Sequence, residues 1–148
     1  MHVHASEIPA GIYNKGRIAA GPHVIIVAGS GYTLTWKDGD AEFERHDWRP
    51  GVSFVAPDDM YHQHFNTGPQ PSRHLALSLG SYRFPVLARL AKRNQAPALS
   101  TRDGGPQIDF DDQDPRIDAL WLRELAKTGV ASRMAHHSGE GLPLRERR

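Results

Sequence analysis

The chain has 148 residues, a formal net charge of +1 and no cysteine. That length suits one domain with a buried core. The charge offers no sequence-independent attraction to nucleic acid, and the absence of thiols rules out a disulfide framework and points to a reducing cytoplasm. A hydrophobic fraction of 39% with 14 glycines and 11 prolines favours an all-β domain with many turns over a helical bundle, and no apolar run has the character of a signal peptide or membrane span.

In chain order, Met1–Ala10 reads as an edge strand. His2 and His4 share one face as exposed polar residues, and Pro9 limits the ladder. Gly11 to Gly21 is weakly patterned. His23-Val-Ile-Ile-Val-Ala28 is the strongest strand, apolar enough to be covered on both faces. Gly29-Ser-Gly31 turns the chain. It is no phosphate loop, because strands flank it and no helix N-terminus follows. Tyr32 to Trp36 alternates, with Tyr32, Leu34 and Trp36 on one face and two threonines on the other. Lys37-Asp-Gly-Asp40 is a hairpin turn, and Ala41 to Trp48 a further strand with Phe43 inward and Glu42 and Glu44 outward.

Gly51-Val-Ser-Phe-Val-Ala-Pro57-Asp-Asp59-Met-Tyr-His62-Gln-His64-Phe-Asn66 is the stretch with the most chemistry. Val52 to Val55 reads as a strand, Pro57-Asp-Asp59 as a tight turn, and the run after it as a second strand. Residues two apart in a strand share a face, so His62 and His64 point the same way, as a metal or acid/base site requires. After a loop from Asn66 to Ser72, Arg73 to Leu79 alternates again: Leu75, Leu77 and Leu79 lie opposite His74, Ala76 and Ser78. The character then changes. Val86 to Arg93 has a brief helical pattern, and Gln107 to Phe110 reads as a short strand. Asp114-Pro115 starts a helix that places Ile117, Leu120, Trp121 and Leu125 on one face and ends at Gly129. Residues 135–148 are polar and read as a disordered tail.

Gly51, Pro57, Asp59, His62 and Asn66 fill the five fixed positions of G-x5-P-x-G/D-x2-H-x3-N, the second motif of the cupins. The chain therefore resembles that superfamily. The likeness runs on through Tyr61-His-Gln-His-Phe-Asn-Thr-Gly-Pro69, through Arg73 to Leu77 and through Gln107 to Pro115, and is similar to a subgroup of small bacterial cupins up to about Met134. It implies a cupin-type double-stranded β-helix, a jelly-roll barrel, over residues 1–84. A C-terminal extension over 85–134 carries one helix near 115–128. The first cupin motif, G-x5-H-x-H-x3,4-E-x6-G, is degenerate. Counted from Gly11, its two histidine positions fall on Arg17 and Ala19, neither of which has a lone pair to donate to a metal. Its third ligand position aligns with His23 if one residue is missing.

The resemblance thus implies His23 and His62 as ligands left for one divalent transition metal (Fe, Mn, Ni, Cu or Zn); His64 joins them because it shares the face of His62, and His62 and His64 are the expected catalytic pair. The expected activity is of dioxygenase, isomerase or decarboxylase type on a small oxygenated molecule. The alternative is a cupin with no metal, whose pocket binds a small molecule or anion through His62, His64 and Arg17. A third reading is a structural module whose C-terminal helix docks a partner. His74 reads as a polar core residue unless its face points inward, where it would complete a histidine cluster. Trp36, Trp48, Tyr61 and Tyr82 read as packing or rim residues, and Asp109, Asp111, Asp112 and Asp114 as a solvated face, since an EF-hand's glycine and distal glutamate are missing. The barrel is strand-poor on its N-terminal side. A second copy would cover the open edge, so a homodimer is expected, with no nucleic-acid or membrane partner.

Overall fold

The computed structural model describes residues 2–19, 21–78 and 99–135. The expected helix at Val86 to Arg93, Tyr82 and the C-terminal tail from residue 136 lie outside these residues.

Eight strands form two four-stranded antiparallel sheets: β1 (His2–Ile8), β2 (Arg17–Ile18), β3 (His23–Ala28), β4 (Gly31–Trp36), β5 (Glu44–Trp48), β6 (Ser53–Val55), β7 (Tyr61–Asn66) and β8 (Ser72–Ser78). One sheet runs β1-β8-β3-β6 and the other β2-β7-β4-β5. Consecutive strands switch sheets at every connection except the β4–β5 hairpin, which is the order of an eight-stranded jelly roll. The fold is the cupin-type double-stranded β-helix that the motif implied.

Turn chemistry sets the corners. Gly51 sits at φ 87° with open space around it, and its N–H donates to Ile26 O at 2.9 Å. The fifth motif residue, Asn66, is a clamp. Its Nδ2 donates to Ile8 O (2.8 Å) and Gln70 O (2.9 Å) while its Oδ1 accepts from Gly68 N–H (3.0 Å), closing the β7–β8 loop onto β1.

The helix α1 (Pro115–Thr128) has the expected caps. Asp114 accepts from Arg116 N–H at 2.9 Å, Pro115 is in the first turn, and Gly129 at φ 70° donates to Leu125 O. Replacing Asp114 with alanine should cost about 1 kcal/mol. A thermal melt should then show Tm lower by roughly 2–4 °C, and an unchanged Tm would mean that the cap contributes nothing.

The packing differs from expectation in an instructive way. The larger apolar cluster lies outside the barrel, where Tyr13, Tyr32, Leu34, Trp36, Tyr61 and Phe65 meet Ile117, Trp121 and Leu125 of α1 together with Met134. Tyr32 stacks on Phe65 (centroids 4.6 Å apart), and Trp121 meets Tyr13 edge-on at 5.2 Å. The helix spends its apolar face on the barrel. Among the described residues, a smaller apolar cluster of Ile8, Val24, Ile26 and Trp48 lies between the two sheets.

Three local expectations are corrected. β3 is covered on one face only: Val24 and Ile26 are buried, but Val27 is 50% exposed. The strand expected at Gln107 to Phe110 is reduced to isolated bridges from Gln107 to Arg17 and Ser100, followed by a 3-10 turn at Phe110–Asp112. The strand expected from Ala41 begins only at Glu44, and Phe43 packs edge-on against Trp36 on the outer face of its sheet.

Candidate functional site: the polar interior of the barrel

Strand register brings the histidines together. Arg17 on β2 is paired with His62 on β7, His62 with Thr35 on β4, and His64 with Thr33. Side chains at paired positions share a face, so Arg17, His62, His64, Thr33 and Thr35 all point between the sheets. From the opposite sheet, His74 on β8 projects inward beside Ile26. The His64 ring lies 4.7 Å from His74 and 5.4 Å from His62. All three imidazoles are buried. His4 is partly buried and near enough to act electrostatically on His64 and His74, so it is an interior residue and not the exposed edge residue expected. The conditional reading of His74, that it would complete a cluster if its face pointed inward, describes what the fold does.

His23 is placed elsewhere. It is exposed at the start of β3, out of phase with inward-facing Val24 and Ile26. The structure therefore brings His62 and His64 together but does not bring His23 to them.

Burial dominates the electrostatics of the cluster. It pushes the His62 pKa down to about 3, helped by the Arg17 charge and by His74. It pushes His74 down to about 4, with His4 and Arg17 acting in the same direction. His64 is held well below the usual imidazole range by burial, with His62, His74, Arg17 and His4 adding to it. All three rings are neutral at pH 7.

A hydrogen-bond relay orients one of them. Trp48 Nε1–H donates to Thr33 Oγ1 at 2.9 Å, and Thr33 Oγ1 lies 2.7 Å from His64 Nδ1. An indole N–H can only donate, so the threonine oxygen accepts it, and the hydroxyl keeps one hydrogen and one lone pair for the contact with His64 Nδ1. With the Thr33 hydroxyl donating to Nδ1, His64 is the Nε2–H tautomer and a donor on its far side; with Nδ1–H donating to Thr33, Nε2 is an acceptor. His62 Nδ1 and His74 Nδ1 are buried without a hydrogen-bond partner. His46, on β5, stacks on Phe54 (centroids 4.7 Å, planes 3° apart) and lies 3.2 Å from Thr35 Oγ1 through Nε2.

Arg17 is the unusual member. Its Nε is buried with no hydrogen-bond partner, and burial alone pulls its pKa down. Among the described residues, no carboxylate pairs with it. A desolvated guanidinium without a counter-ion is costly.

The donor set does not suit a resident metal ion as it stands. Among the described residues, no group of three or more His, Asp or Glu side chains is arranged to hold one. His64 Nδ1 is already engaged by Thr33, and the Arg17 cation opposes a dication in the same space. The sequence alone marks neither Thr33 nor His46 as a site residue, and reads Trp48 only as a packing or rim residue. Their signal was the alternation of β4 and β5, which puts Thr33, Thr35, His46 and Trp48 on one face once the register to β7 is known.

Among the described residues, no helix is long and apolar enough to cross a membrane. No protein-family model matches the chain, and neither does any curated protein sequence. Several solved structures share part of the fold. The Drosophila melanogaster CENP-C cupin domain is 10% identical with a TM-score of 0.46, over 51% of this chain and 58% of that one. The capsular polysaccharide assembling protein CapF from Staphylococcus aureus is 15% identical with a TM-score of 0.47, over 56% of this chain and 26% of that one. The DMSP lyase DddQ from Ruegeria pomeroyi is 23% identical with a TM-score of 0.41, over 50% of this chain and 35% of that one. The chain thus spans little more than half of the first of these and less of the others. The strand order carries the fold assignment: this chain is a cupin-type jelly roll with a helix packed on its outer face.

Proposed function

We propose that the barrel interior is a metal-free binding site for a small carboxylate-type oxyanion. The observation that carries this reading is Arg17, a half-buried residue whose Nε–H is buried and orphaned, with no carboxylate partner among the described residues, on the same face as His62. A carboxylate would accept from the guanidinium fork and from His64 Nε2–H, and the neutral His62 and His74 would offer further polar contacts without adding repulsion. In this reading the Thr33 hydroxyl donates to His64 Nδ1, which leaves Nε2–H as the donor to the ligand. The small apolar cluster of Ile8, Val24, Ile26 and Trp48 would surround the ligand's carbon skeleton.

The test is calorimetric titration of chelator-treated protein with acetate, pyruvate, benzoate and phosphate, repeated with Arg17→Gln. A charge-assisted hydrogen bond is worth about 1.5–3 kcal/mol, so the variant should bind at least about tenfold more weakly. The variant should melt no lower than the parent, because it removes an uncompensated buried charge. Equal binding by the variant, or binding that appears only after Fe(II), Mn(II), Ni(II) or Zn(II) is added and disappears in His62→Ala, would contradict the proposal.

A further inference from the structure

A cleft of about 250 Å³ opens on the other side of the same sheet, between the outer face of β4 and β7 and the first turn of α1. Trp36, Phe43, Gly16, Gln63 and Ile117 line its depth, and the β4–β5 turn forms its rim. It shares no residue with the histidine cluster. Gln63 neighbours His62 and His64 in sequence but points the opposite way.

The hydrogen-bond inventory of Gln63 is incomplete in one respect. Its Nε2 donates to Asn14 O and to Gln113 Oε1, both at 2.7 Å. Gln113 Nε2 in turn donates to Tyr13 Oη and Asp118 Oδ1, both at 3.0 Å. Each amide is thereby fixed in orientation, since a flip would set acceptor against acceptor. Gln63 is fully buried, and its Oε1 has no partner. That oxygen can only accept, and leaving it unmet is costly. It lies on the side of Gly16, where an added Cβ would come within 3.5 Å of Oε1 and 3.0 Å of Trp36 Cη2.

The charge around the cleft is one-sided. Four carboxylates (Asp38, Asp40, Asp112, Asp114) line it against two cations (Lys37, Arg116). Most are engaged. Arg116 is held by Asp114 at 2.7 Å, Lys37 by Asp59 at 2.9 Å, Asp112 by Arg102, and Asp40 accepts the Lys37 N–H at 2.7 Å. Among the described residues none bonds to Asp38, whose charge adds to burial in raising the Tyr61 phenol's pKa.

We propose that this cleft is a second ligand site, separate from the barrel interior, that takes a primary ammonium group. One N–H meets Gln63 Oε1, the charge is balanced by the Asp38 rim, and the ligand's carbon chain lies against Trp36 and Phe43. Aromatic faces favour a cation as well as its apolar stem.

The test follows the Trp36 indole and Gln63 amide signals by NMR as propylammonium, tetramethylammonium or propionate is added to the full chain. Propylammonium should shift both signals with Kd on the order of 1 mM, the scale for so few heavy atoms. Tetramethylammonium, which has no N–H for Gln63, and propionate should bind at least about tenfold more weakly. Asp38→Lys, at an exposed turn position, should abolish the response without disturbing the fold, and Gly16→Ala should weaken it by crowding Trp36. No shift with propylammonium, equal binding of tetramethylammonium, or a response that Asp38→Lys leaves unchanged would overturn the proposal.

Discussion

Lowering the pH from 7 to 5 is expected to bring the protein close to unfolding. The sign follows from the buried histidines. In the unfolded chain they titrate near 6.5. In the folded barrel His62 and His74 titrate at about 3 and 4, and His64 is lowered in the same direction. Between these values the unfolded state binds more protons, so stability falls as pH falls through 6.5 and is fully present above it. At pH 5, His62 and His74 together should cost roughly 4 kcal/mol, with His64 adding to it, against a total stability on the order of 5–15 kcal/mol. Arg17 and His4, which face the same space, sharpen the effect because each new imidazolium would sit beside existing or incipient positive charge. Urea denaturation of chelator-treated protein should therefore show a flat midpoint from pH 7 to 9 and a steep decline below 6.5. His74→Gln should make that decline shallower. A midpoint that held constant down to pH 5 would mean that the three rings are not buried neutral.

The second large effect is at the outer face. Trp121→Ala should destabilise the protein by about 3–5 kcal/mol, the usual cost of truncating a fully buried aromatic residue. Trp121 is completely buried against Tyr13 and Phe65, and the helix that carries it covers Tyr32, Leu34 and Trp36. Arg45 reinforces the junction from the sheet, sitting over the Tyr32 ring at 4.3 Å and bonded to Glu124 at 3.1 Å. The measurement is a denaturant curve of the variant. A loss below about 1 kcal/mol would mean that α1 is an appendage, which would revive the reading in which it is reserved for a partner. A large loss means that its apolar face is committed to the barrel.

These two effects share one cause, and it explains what could be read from the sequence. In β4 the alternation Tyr32-Thr33-Leu34-Thr35-Trp36 shows two different faces but not which one is interior. The ordinary assumption puts the apolar face inside. Here α1 covers that face from outside, so the threonines line the barrel with His62 and His64. The helix itself was legible, because Asp114, Pro115 and Gly129 act through local backbone chemistry. So was the shared face of His62 and His64, which needs only the two-residue period of a strand.

Features that depend on distant pairing were less visible. His74 joins the cluster because β8 lies between β1 and β3, and His23 misses it by one residue of phase relative to Val24. In the sequence Arg17 stands as a gap in a ligand motif. Its register with His62 turns that gap into a positive charge on the floor of the site. The homodimer expected from an open sheet edge remains a proposal. Val3 and Val55, on the outer face of the β1-β8-β3-β6 sheet, are about half exposed and would lie at such a contact.

The most direct measurement is a side-chain 15N NMR spectrum of the arginine and histidine nitrogens. It would be taken on chelator-treated protein at neutral pH, before and after addition of the best-binding carboxylate. Three neutral buried imidazoles are expected, with His64 as the Nε2–H tautomer in the bound state and an Arg17 Nε–H resonance that moves on ligand addition. A protonated ring among His62, His64 and His74, or an Arg17 signal that stays in place while the ligand binds, would contradict the proposed site.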